Sequence, residues 1–132
     1  MKAEELKIGN LYDQFGNITE VNWCTIKDLE KAPKEQLWCK PIPLTEEWLL
    51  KFGFRFFKSK KGFNNYTLWI DNEFHLSFPD FFGDPSCLAY RYKEDHPLAH
   101  KRHSVPIVLN MEYVHQLQNL YFALTGTELE MK

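Results

Sequence analysis

The stretch from Asn110 to Gly126 is a complete amphipathic helix with its start and stop written in. The Asn110 side chain suits the first free N–H groups of a helix, and Gly126 can take the left-handed conformation that ends one. Between them Met111, Val114, Leu117, Tyr121 and Leu124 recur at three- and four-residue steps and so share one face. Leu120 and Phe122 widen that face. A helix with a single apolar stripe has to bury it against another layer, so the rest of the chain must supply that layer. His115 sits beside the stripe and reads as a boundary histidine bonded to a neighbour.

The rest of the chain reads mostly as antiparallel strands. Leu6 to Tyr12 and Ile18 to Ile26 form a hairpin around a turn at Phe15-Gly-Asn17. Residues 28–40 are charged and broken by proline, a loop with a short helical turn. Thr45 caps a short middle helix, Glu46 and Glu47 complement its dipole, Leu44 can staple onto Leu49, and Gly53 stops it. Trp48, Leu49 and Phe52 form its buried face. A meander follows, with strands at 54–59, 66–70 and 73–78 and turns at Lys60-Lys-Gly62 and Asp71-Asn72. In the last of these strands Phe74, Leu76 and Phe78 alternate with Glu73, His75 and Ser77, one buried face and one wet face. Residues 79–85 are a loop, 87–92 a strand, 93–104 a polar loop, and 105–109 a short edge strand, because Pro106 cannot donate to a ladder. The expected class is α+β: one curved antiparallel sheet packed by the C-terminal helix, with one short middle helix. The layout of the first hairpin is similar to that of small SH3-like barrels.

With 132 residues the chain reads as a single domain, residues 1–132, large enough for a core. Aromatic content of 16% is too high for disorder and asks for a ring-rich core or a ring-rich binding surface. A net charge of -2 gives no global pull toward long nucleic acid or a membrane surface. No apolar run approaches the roughly 18 residues that a membrane span needs, and the opening Met-Lys-Ala-Glu-Glu is not a signal peptide. Cys24, Cys39 and Cys87 have no C-x-x-C spacing and read as reduced thiols in a cytoplasmic protein.

Three segments carry a resemblance. Tyr113-Val-His-Gln-Leu-Gln-Asn-Leu-Tyr-Phe-Ala-Leu-Thr-Gly126, with Leu129 after it, resembles the C-terminal signature of short uncharacterised proteins from gut Bacteroidetes and their phages. Lys2 to Asn10 is similar to their opening, and Ile42 to Phe54 to their middle helix. The resemblance implies no catalytic residue. It implies a shared scaffold whose variable part lies between residues 55 and 109. The resemblance implies a role of the kind compact, non-catalytic phage proteins often have, acting against the host by sequestering a nucleotide signal or by blocking a protein.

The candidate chemistry pairs cations with rings. Lys60 and Lys61 lie on the first meander turn, Trp69 on the next strand, and Arg91, Tyr92, His100 and Arg102 in or after the fourth. Guanidinium and ammonium groups suit phosphate, and aromatic faces suit stacking on a base. The expected ligand is a small anionic nucleotide, held without turnover and across a symmetric homo-oligomer. A second reading is a protein-interaction module working through Phe81 and Phe82, neighbouring rings on a Pro/Gly loop. A third is a nucleotide hydrolase using His96, His100 or His103. The spacing of those histidines could serve a metal on a helix, but Pro97 lies among them, so no metal site or cofactor is expected. Gly-x-Ser-x-Gly, His-Glu-x-x-His, P-loop and Gly-x-Gly-x-x-Gly motifs are all missing, which weighs against known enzyme classes.

Overall fold

The computed structural model describes residues 3–31, 38–58, 64–70, 74–79, 88–92, 105–108 and 111–132. In chain order the elements are a 3-10 turn Ala3–Glu5, β1 Leu11–Gln14, β2 Asn17–Glu20, α1 Trp23–Lys31, α2 Glu46–Lys51, β3 Arg55–Lys58, β4 Asn64–Trp69, β5 Phe74–Pro79, β6 Leu88–Tyr92, β7 Val105–Val108 and α3 Val114–Thr125. The α+β class holds. It uses two antiparallel sheets rather than one, β1-β2 and β3-β4-β5-β6-β7, and no barrel closes among the described residues. The hairpin is therefore a small separate sheet and not the opening of an SH3-like barrel. The chain divides into two compact units, Met1–Pro43 with Glu112–Leu129, and Leu44–Met111 with Glu130–Lys132.

In the first unit, β1 and β2 pair through Leu11↔Glu20, Tyr12↔Thr19, Asp13↔Ile18 and Gln14↔Asn17. The outer edge of β1 is taken by Lys40, whose N–H and C=O exchange bonds with Asp13 at 3.0 and 2.9 Å. Strand character stops at Glu20, short of the expected Ile26. Asn22 and Thr25 cap each other there: Asn22 Oδ1 accepts the Thr25 N–H at 3.0 Å, and Thr25 Oγ1 accepts the Asn22 N–H at 3.2 Å. That reciprocal cap starts α1 despite the β-branched Thr25 and Ile26, since propensity is a weak prior once the end groups are satisfied. Thr25 and Leu29 form the buried side of α1. Leu29 joins Tyr12, Val21 and Cys39 in the core of this unit, with Leu6, Ile26 and Trp38 packed around them.

The closing helix begins three residues later than its apolar spacing predicts. Asn110 lies outside the described residues, and Tyr113 takes the cap position with extended backbone. Gln116 Oε1 accepts the N–H groups of Glu112 and Tyr113 at 2.9 and 3.0 Å, satisfying donors ahead of the first turn. Gly126 ends the helix as expected, at φ 73°, with its N–H on the Phe122 carbonyl at 2.8 Å. The buried face is not the full predicted stripe. Val114 and Leu117 are buried, but Leu124 and Phe122 are exposed, and His115 and Gln118 are buried instead. Gln118 is there because the backbone of the first segment needs it. Its Oε1 accepts the Leu11 N–H at 2.9 Å and its Nε2 donates to the Gly9 carbonyl at 3.4 Å. Asn119 donates to the Glu5 carbonyl and accepts from Asn10, both at 2.9 Å. Lys7 reaches Glu128 at 2.5 Å and lies 4.6 Å from the centroid of the Phe122 ring, which gives that exposed ring a cation–π contact.

In the second unit, α2 sits where the sequence places it. Thr45 holds the cap position, although its hydroxyl makes no capping bond, and Leu44 and Leu49 are both buried as a staple requires. Gly53, at φ 91°, ends the helix: its N–H bonds Leu50 O at 3.1 Å and the Phe54 N–H bonds Leu49 O at 3.0 Å, the paired closure that needs a left-handed residue. The five-stranded sheet is a pure meander with β7 at one edge, as Pro106 demands. Phe54 packs on Phe78 with ring centroids 5.6 Å apart, and Phe56 on Tyr66 at 5.2 Å. The opposite face is not simply wet: Thr67 and Ser77, partners across β4 and β5, are both buried.

Candidate functional site

The register of the five-stranded sheet decides which predicted site residues can act together. Trp69 pairs with His75, and His75 pairs with Arg91, so the three occupy one row across β4, β5 and β6. Two strand spacings place the Arg91 backbone about 10 Å from that of Trp69. Arg55 pairs with Thr67, two residues before Trp69 on the same strand, so Arg55 is the diagonal neighbour of Trp69 on the same face. Arg55 is exposed and Trp69 keeps 47% of its surface accessible. The row therefore sets an accessible indole between two arginine positions. Tyr92 pairs with Phe74 in the adjacent row, which the pleat assigns to the other face. That face also carries Phe54, Tyr66, Leu76 and Phe78, all buried.

Lys60, Lys61, His100 and Arg102 lie outside the described residues, as do Phe81, Phe82, His96, His103 and Cys87. Arg55 and His75 were not singled out from the sequence. The signal for them was present in the alternation of β3 and β5, but it points to a site only once the pairing partners are known. Trp23 is 63% exposed, while Trp38 packs at the first unit's core, edge-on to Tyr12 at 6.3 Å.

Two other reactive groups are buried. Burial pushes the Cys39 thiol above its ordinary range, which keeps it protonated and inert. His115 is not bonded to a neighbour as expected: it is buried, its ring stacks on Tyr113 at 5.8 Å, and its Nδ1 has no hydrogen-bond partner. Burial holds its pKa below the ordinary histidine value, partly offset by the nearby Glu5 carboxylate. Among the described residues no three His, Cys, Asp or Glu side chains gather as a metal site would require, and no helix is long and apolar enough to cross a membrane. Comparison of the chain with protein-family models, with curated proteins and with solved structures finds no match in any of the three.

Proposed function

We propose that this chain is a non-catalytic binding protein that holds a small anionic nucleotide on the β3–β6 face of its larger sheet. The observation that carries the reading is the row Trp69–His75–Arg91 with Arg55 on its diagonal. An indole face stacks on a base, and a guanidinium, charged at every physiological pH, takes a phosphate through two parallel N–H groups. A span of about 10 Å between the two backbone positions is of the order of the distance from a base to its own phosphates. Neither the indole nor the guanidinium is a nucleophile at neutral pH, and capture is the reading that their pairing supports. Lys60, Lys61, His100 and Arg102 are the further contacts this reading assigns to the ligand; Tyr92, in the alternate row, is not one of them. The biological setting that goes with it is sequestration of a nucleotide signal in a host cytoplasm by a phage or mobile element.

The test is a thermal-shift screen against cyclic and linear nucleotides, followed by chromatography of the recovered ligand. A binding nucleotide should raise the melting temperature and come back intact. Trp69→Ala and Arg91→Gln should each weaken binding about tenfold or more, the scale of one lost stacking or charge-assisted contact. A flat response across the panel removes the reading. Recovery of a cleaved nucleotide replaces it with the hydrolase alternative.

A further inference from the structure

The first unit contains a cleft of about 620 Å³ between the inner face of the β1–β2 hairpin and α1. Its walls are the rings of Tyr12 and Trp38, set nearly perpendicular at 82°. Gln14 enters from β1, and Cys24, Asp28 and Lys31 from α1. The cleft is open to solvent on one side, and its size is within the range of small-molecule sites. Three features of its lining point to a ligand. Tyr12 lines it with a ring that is only 3% exposed and is held edge-on to Trp38, so an aromatic wall is fixed in place. Asp28 and Lys31 are opposite charges on one helix, three residues apart, yet neither makes an ion pair among the described residues. At that spacing their Cβ atoms are about 5–6 Å apart, so both charges address the same small volume.

We infer that this cleft binds a compact zwitterion, a free amino acid with an apolar or aromatic side chain. The Asp28 carboxylate accepts from the ligand ammonium, and the Lys31 ammonium donates to the ligand carboxylate. The ligand side chain lies against the Trp38 and Tyr12 rings, with the Tyr12 hydroxyl and the Gln14 amide left to satisfy its remaining polar atoms. A purely anionic ligand would meet Asp28 and a purely cationic one Lys31, so a molecule carrying both signs close together satisfies the lining best. This site is separate from the sheet row, and each can fail without the other.

Cys24 gives a direct readout, because it is an exposed free thiol on the cleft while Cys39 is buried. In a Cys87→Ser background, the rate of Cys24 labelling by a maleimide is followed in the presence of free Leu, Phe and Trp, their N-acetyl and amide derivatives, and dipeptides. Free amino acids should slow labelling, and N-acetylation should abolish that protection. Asp28→Asn and Lys31→Gln, both at exposed positions that leave the core intact, should each weaken protection about tenfold or more, the effect of one charge-assisted hydrogen bond. Circular dichroism checks that the two variants stay folded. Equal protection by capped and uncapped ligands overturns the inference, as does no protection by any of them at tens of millimolar. Protection by dipeptides alone overturns the assignment to a single amino acid.

Discussion

Among the described residues of the unit 44–111 and 130–132, the largest sealed side chains are Phe52, Phe78, Leu49 and Leu76, and strands pair only with their neighbours in sequence. In the unit of residues 1–43 and 112–129, amides do much of the joining. Asn10, Gln118 and Asn119 bond across separations of 107 to 114 residues, and Lys7 meets Glu128 across 121. The first arrangement forms from contacts between consecutive strands. The second closes only when the two ends of its chain meet, which carries the loop entropy of everything between them. Apolar burial is non-directional and tolerates small displacements, whereas an amide network stabilises only when each donor finds its acceptor. The contrast also separates the two proposed sites, one on a meander row and the other in a cleft beside the hairpin.

The largest test of that contrast is Phe52→Ala. Phe52 is fully buried and packs against Trp48 with ring centroids 5.7 Å apart, so its loss should lower stability by about 3–5 kcal/mol in urea unfolding. Gln118→Ala comes next, at about 1–3 kcal/mol, because it leaves the Leu11 N–H without its acceptor. Amide exchange at Leu11 should accelerate together with the loss. A Gln118 effect as large as that of Phe52 would break the distinction between ring-packed and amide-joined units. The smallest effect concerns pH. The folded-state pKa of His115 lies below its ordinary value of 6.5, so between the two values the unfolded chain binds more protons. Its contribution is complete above pH 6.5 and is lost as pH falls below that value toward the folded pKa. The drop in melting temperature between about pH 7.5 and about pH 5.5 should therefore be smaller in His115→Leu than in the parent chain. An unchanged drop would show that the buried imidazole is not its source.

Local signals were legible wherever one residue carried the whole message. Gly53 and Gly126 end their helices, Thr45 marks the start of α2, Pro106 lies on an edge strand, and Leu76 and Phe78 face inward. The errors fall where a distant partner changes the meaning of a residue. Thr25 and Ile26 look like strand residues until Asn22 is seen to cap them, and Gln118 looks like surface until the Leu11 and Gly9 backbone groups it bonds are seen. For the candidate site, Trp69 and Arg91 were visible as residue types, while Arg55, His75 and the split of Tyr92 to the other face needed the register.

By itself the sequence determined the α+β class, the order of most elements and the chemistry on offer: rings, guanidinium groups and no assembled nucleophile motif. Tertiary structure alone decided that the hairpin forms its own sheet, that His115 and Gln118 are buried, and that Asp28, Lys31, Tyr12 and Trp38 surround one cleft. The reason is that caps, turns and periodicity act over a few residues and can be seen along the chain. Pairing register and polar satisfaction depend on which remote segment arrives, and a linear sequence records no such distances.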